Sequence, residues 1–88
     1  ILTEERADTP CKRLYLSVQL MYMDPPSEAV YLTHFGSIRQ EIVLAAPSTA
    51  RLLDEIEASV AVKEYYKALK VARKLIDYEE ELLSHVRP

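Results

Sequence analysis

Between Leu14 and Met23 only Ser17 and Gln19 interrupt an apolar run. Wound as a helix, such a run points apolar side chains in nearly every direction, which predicts a central, buried helix. Thr9-Pro10 marks its start, a hydroxyl that accepts from an orphan backbone N–H followed by a proline that loses no bond in the first turn. Asp24-Pro25-Pro26-Ser27 ends it, because proline disfavours helix in the residue before it and cannot donate to the ladder. The spacing then predicts a second helix capped by Ser27, with Tyr31, Phe35, Ile38, Ile42 and Ala45 at alternating steps of about four and three residues. Ala46-Pro47-Ser48-Thr49 closes it and offers two hydroxyl caps to a third helix, whose apolar face is Leu52, Leu53, Ile56 and Val60.

No glycine or proline falls between Arg51 and Arg87. A break is placed near Ala61 to Lys63, where β-branched residues cluster and lower helix propensity. The last helix carries Tyr65, Leu69, Ala72, Ile76 and Leu83 on one side, a broad stripe suited to packing on the first helix. The fold class is therefore all-α, a small bundle of about four helices near residues 10–23, 28–46, 49–61 and 63–85, in a single helical domain over 1–88. Residues 1–8 mix an apolar pair with charged residues and read as a lead-in with at most one helical turn. Gly36, inside the second helix, costs about 1 kcal/mol relative to alanine, so it either admits the close approach of another backbone, the preferred reading, or breaks the helix.

A chain of 88 residues buries only about 60 to 65% of its unfolded surface, so its core is thin. Four helices struggle to cover Leu16, Leu20 and Met23 as well as Leu14 and Val18, which predicts a homo-oligomer. The single glycine excludes the glycine-rich loops that cradle phosphates in nucleotide folds. One cysteine and two separated histidines, His34 and His85, exclude a disulfide framework, a cysteine-built zinc site and an H-E-x-x-H helix, so neither metal nor cofactor is expected. The longest uncharged runs, Leu14 to Met23 and Ala29 to Ile38, fall short of the ~20 residues of a membrane span, and no secretory signal is visible; a reducing cytoplasmic setting and no membrane contact are expected. The chain begins at Ile1, the mark of a fragment or processed product.

The balance of 11 Lys and Arg against 14 Asp and Glu gives a net charge of −3, which argues against a generally basic nucleic-acid binder and leaves local patches to be read separately. Counted at about 100° per residue, Lys63, Lys67, Lys70 and Lys74 share an arc of roughly 60° opposite the apolar stripe, with Arg73 beside them. A solvated face is the ordinary reading of such a run. A solvated face usually alternates sign, however, and here Lys63 with Lys67 and Lys70 with Lys74 pair like with like. A partner supplying negative charge offsets that repulsion.

Lys12 and Arg13 oppose the dipole at the start of the first helix, where Asp8 neutralises them or where they extend an anion-binding surface. Tyr66 and Tyr78 flank the lysine ridge, as packing residues or as platforms for base stacking. Cys11, beside two cations at a helix start, reads as a small space-filling residue sooner than a reactive thiol. His34 reads as a hydrogen-bonded packing histidine. Glu79, Glu80 and Glu81 are consecutive, so they fan around the helix instead of converging as a catalytic pair must. No active site is legible, and the chain is not expected to be an enzyme.

With these residues laid out, the chain resembles the FlbT family of flagellar regulators of alphaproteobacteria. The stretches that carry the resemblance are ILTEERADTPCKRLYLSVQLMY (Ile1 to Tyr22), AAPSTA (Ala45 to Ala50), YYKALKVARKLIDYEEELL (Tyr65 to Leu83) and the Tyr, Phe and Ile positions of the second helix. The resemblance implies post-transcriptional control of flagellin synthesis, by binding the 5′ untranslated leader of flagellin messenger RNA and adjusting its translation or decay. It also implies a β-rich segment upstream of the ILTEE-like motif, so this chain is expected to be a fragment without it. Lys12 and Arg13 lie in TPxKR, and Lys67, Lys70, Arg73 and Lys74 in YKALKxARKLI, so both basic clusters belong to the resemblance. The alternative is a helical protein-interaction module that docks flagellin or another flagellar assembly factor or regulator, its ridge meeting an acidic protein surface.

Overall fold

The computed structural model describes residues 9–86, leaving the side chains of Ser27, Leu83, His85 and Val86 outside the described set. The expected lead-in at residues 1–8, the capping role of Ser27 and the stripe position of Leu83 fall outside it. Four helices follow one another: α1 (Pro10–Met23), α2 (Glu28–Ala45), α3 (Ala50–Ala61) and α4 (Tyr65–Val86), with single 3₁₀ turns at Pro25–Ser27 and Pro47–Thr49. Among the described residues there is no strand, and no helix is long and apolar enough to cross a membrane. The small all-α bundle read from the sequence is the fold.

Thr9 caps α1 as its sequence demands, its Oγ1 accepting from the Lys12 N–H at 3.4 Å with Pro10 in the first turn. The expected hydroxyl caps of α3 do not form. Thr49 is helical in backbone, and its buried hydroxyl donates to the Ala46 carbonyl at 2.7 Å. Ser48 instead shares a 3.0 Å hydrogen bond with the Tyr78 hydroxyl. The reason is the 3₁₀ turn: it feeds the chain into α3 already wound, which leaves no extended capping residue.

The break between α3 and α4 falls where it was placed, and its cause is backbone geometry. Lys63 has a positive φ of 63°. The Lys63 N–H reaches the Val60 carbonyl at 2.9 Å and the Glu64 N–H the Ser59 carbonyl at 2.8 Å, the paired bonds of a Schellman end with a lysine where glycine is usual. Consequently α4 begins at Tyr65, two residues after the expected start, and Lys63 lies outside it.

All four helices contribute to one core. Leu14, Val18 and Met21 of α1 are fully buried, as are Leu53 and Ile56 of α3 and Ala68, Ala72 and Leu75 of α4. Helix α4 packs against both α1 and α3, while α1 also carries α2. The buried stripe of α4 is rotated from the expected one: Ala68, Val71 and Leu75 join Ala72 and Ile76, and Tyr65 and Leu69 are only half-buried. Facing two helices moves the centre of burial toward α3. On α2, Tyr31, Phe35, Ile38 and Ile42 are buried as expected, but Ala45 is exposed and Ala46 takes its place. Arg39 ties α2 to α3 through Asp54 at 2.7 Å and Glu57 at 3.6 Å.

Neither expectation for Gly36 holds. Helix α2 runs through it unbroken, and a Cβ built there meets nothing within 4 Å. Replacing Gly36 by alanine is therefore expected to stabilise the chain by about 1 kcal/mol through helix propensity alone. Lys63→Gly is expected to relieve part of the ~1–2 kcal/mol that an L-residue spends in the left-handed region. Urea unfolding midpoints check both, and each should rise without a change in slope.

Candidate nucleic-acid interface

Three of the proposed contact residues share one groove. Lys67, Lys70 and Lys74 line a concavity of about 550 Å³ between α3 and α4, together with Tyr66, Val71 and Glu55. The lysines are placed by packing on the opposite side of the helix: with Ala68, Val71, Ala72 and Leu75 turned inward, positions 67, 70 and 74 point to solvent. None of the three forms an ion pair with another described residue. Lys70 holds its Nζ 5.1 Å from the centroid of the Tyr66 ring, which is 67% exposed. An exposed ring with a cation over one face, beside two further cations, can stack on a planar group while the ammoniums meet its negative charge. Sequence reasoning missed Glu55 and Val71, since nothing along the chain shows which residues of α3 edge the lysines.

The remaining candidates are dispersed. Arg73 turns to the other flank of α4, where it lines a groove with Lys12, Tyr15 and Glu80, and its Nε lies 3.5 Å from Asp77 one turn on. Lys12 approaches Glu80 at 3.8 Å, and Arg13 meets Glu41 of α2 at 2.8 Å. Among the described residues the carboxylates that meet this pair come from α4 and α2, and Asp8, the neutraliser expected from the sequence, lies outside them. Lys63 sits in the turn before α4, so the helical count that placed it on the ridge does not apply. Tyr78 is held by Ser48 and lines a small enclosed space with Cys11, Ile42 and Thr49. Of the two tyrosines Tyr66 is the more exposed, 67% against 37% for Tyr78.

His34 is exposed and lines the shallow groove between α1 and α2 beside Ser37 and Arg13, contrary to the packing role expected of it. The three consecutive glutamates fan out as anticipated, Glu79 toward Cys11 and Glu80 toward Lys12. Cys11 is buried, and loss of solvation, reinforced by the charge of Glu79 and a hydrogen bond to it, pushes its thiol from 9.0 up to about 12. That environment makes the thiol inert at neutral pH. Burial likewise raises Tyr31, with the Glu57 charge adding to it. Among the described residues no group of three His, Cys, Asp or Glu is placed to hold a metal.

The raised thiol has a consequence for stability. The folded chain holds the Cys11 proton more tightly than the unfolded chain, so this contribution is fully present below pH 9 and is lost as pH rises toward about 12. Chemical denaturation across that window should show the native chain losing stability more steeply than Cys11→Ala. Native Cys11 should also resist alkylation at pH 8 until denaturant is added.

The sequence was compared with known proteins. Residues 1–83 match the model of the family described as "Flagellar protein FlbT". The chain is 46% identical over 82 residues to the "Probable flagellum biosynthesis repressor protein FlbT 1" of Bradyrhizobium diazoefficiens, an alignment covering 93% of this chain and 56% of that protein. It is 42% identical over 84 residues to the "Probable flagellum biosynthesis repressor protein FlbT" of Rhodopseudomonas palustris, covering 96% of this chain and 66% of that one. With the "Flagellum biosynthesis repressor protein FlbT" of Caulobacter vibrioides it shares 35% identity over 88 residues, 98% of this chain and 62% of the relative. The chain thus spans between about half and two thirds of the length of these relatives. No solved structure matches it. By the family match and by these identities, the chain belongs to the FlbT family of flagellar proteins.

Proposed function

We propose that this chain is a non-enzymatic regulator of flagellum synthesis acting in the cytoplasm, and that its α4 groove binds the phosphates of a single-stranded RNA, the 5′ leader of flagellin messenger RNA. The regulatory part follows the relatives, which are named repressors of flagellum biosynthesis. The observation that carries the RNA reading is the groove itself, where Lys67, Lys70 and Lys74 stand together with the exposed Tyr66. Phosphates supply the negative charge that the like-charged lysines lack, and a base stacks on the tyrosine while the ammoniums fix the backbone. Self-association of the chain belongs to the same reading, because paired copies offer a leader two such grooves and the second contact becomes intramolecular.

A second reading is favoured by one observation. Val30, Leu32 and Leu44 of α2 are 58%, 62% and 77% exposed, single apolar side chains spread around and along the helix that a protein partner would cover. In this reading the helices bind flagellin or another flagellar assembly factor, and the lysines meet acidic protein surface.

Salt titration of leader RNA binding separates the two. Each phosphate neutralised in single-stranded RNA contributes a log–log slope of about −0.7, so three lysine contacts give roughly −2. Lys70→Gln with Lys74→Gln should flatten that slope by about 1.4. The circular dichroism spectrum should not change, since both side chains face solvent. An unchanged slope removes the groove from the RNA site. Loss of flagellin binding in the same double variant, with RNA affinity intact, establishes the protein-docking reading instead.

A further inference from the structure

Glu55 is the odd member of the α3–α4 groove. It lines the same concavity of about 550 Å³ as Tyr66, Lys67, Lys70, Val71 and Lys74, and α3 turns it outward by burying Leu53 and Ile56 on either side of it. Other carboxylates close to cations are engaged: Asp54 and Glu57 hold Arg39, Glu41 holds Arg13, and Glu80 approaches Lys12. Glu55 shares a groove with three lysines, yet among the described residues it enters no ion pair and no hydrogen bond. A groove that only collects phosphates gains nothing from a carboxylate, which repels them. A ligand that brings hydrogen-bond donors as well as negative charge makes use of it.

We propose that Glu55 reads a guanine base, accepting from its N1–H and its N2 amino group while the base lies on Tyr66 and the lysines hold the flanking phosphates. The inference rests on the RNA reading above and adds to it the base that the groove prefers. The rest of the groove suits that role. Tyr66 is 67% exposed and has no aromatic partner of its own among the described residues, so beside the Lys70 ammonium, 5.1 Å from its centroid, the ring keeps surface for a base. Val71 is buried and gives the groove an apolar floor. The volume lies within the ~300–1,000 Å³ of sites that hold small molecules.

The choice of base follows from the acceptor. An ionised carboxylate presents two oxygens and no donor. The Watson–Crick edge of guanine sets two N–H donors side by side, one for each oxygen. Adenine and cytosine offer one amino group next to a ring nitrogen that is itself an acceptor, and uracil offers one N–H between two carbonyl oxygens. Only guanine meets both carboxylate oxygens with donors. A single strand leaves this edge unpaired and open to a side chain. The lysines fix the orientation, since phosphates drawn to the ammoniums leave the base and not the backbone to face Glu55.

Fluorescence anisotropy of this chain with short oligouridylates tests the proposal, each strand carrying one central guanosine, inosine, adenosine, cytidine or uridine. The guanosine strand should bind about tenfold more tightly than the all-uridine strand. Inosine, which keeps N1–H and lacks the amino group, should fall between them, a reading that needs no variant. Glu55→Gln should act in two directions at once. It takes a negative charge away from the phosphates, so the all-uridine strand binds more tightly, and it exchanges an acceptor for a donor, so the guanosine advantage falls below about twofold. A solvated residue with no part in recognition moves every strand alike. Equal affinity for all five strands, with the salt slope of roughly −2 retained, overturns Glu55 as a base reader and leaves the RNA groove standing. A guanosine advantage that survives Glu55→Gln overturns it as well. Strands that fail to bind, or that bind without the lysine-dependent salt slope, overturn the RNA reading and this inference with it.

Discussion

Burial of α4 on two sides is the constraint from which most of the remaining structure follows. It packs against α1 and α3 at once, so Ala68, Val71, Ala72, Leu75 and Ile76 must all face inward, an arc of roughly 140°. Two of the five are alanines one turn apart and fully buried, which lets neighbouring helices approach closely without displacing larger side chains. Many of the positions left outside that arc carry charge. Lys67, Lys70 and Lys74 gather on one flank, while Arg73 and Glu80 take the other. The lysine groove is thus partly a product of packing, and its like-charged neighbours are the feature that packing alone does not require.

What could be read from the chain was local. Thr9-Pro10, Pro25-Pro26 and Pro47 act within a few residues of themselves, and the helix ends they mark fall within a residue or so of their expected places. The break before α4 was placed correctly from the clustering of β-branched residues, but its mechanism, a left-handed lysine closing a Schellman end, has no sequence mark when glycine is absent. Gly36 misled for the complementary reason. A glycine in a helix signals that something unusual is tolerated there, and only the neighbours show that this one borders open space.

The candidate site divides in the same way. Spacing within one helix was enough to place Lys67, Lys70 and Lys74 on a common face, because helical geometry fixes it. It was not enough for Lys12, Arg13 and Tyr78. Their partners, Glu80, Glu41 and Ser48, are 68, 28 and 30 residues away in sequence. Tertiary contacts decide whether a cation is engaged or available, and that sorted the seven basic candidates into three in one groove and four elsewhere.

The described surface is segregated by chemistry. Apolar side chains stand along α1, cations along one flank of α4, and between them runs a seam where Lys12 faces Glu80 and Arg73 faces Asp77. Exposed pairs of this kind add little stability, a median of about 0 to 1 kcal/mol each. Their effect is better understood as electrostatic. By neutralising the cations nearest the apolar row they confine positive potential to the α3–α4 side, where no carboxylate pairs with Lys67, Lys70 or Lys74 among the described residues. A chain of net charge −3 can therefore present a positive groove and an uncharged face at once, since charges more than about 8 Å apart are screened from each other in physiological salt and each face is read locally.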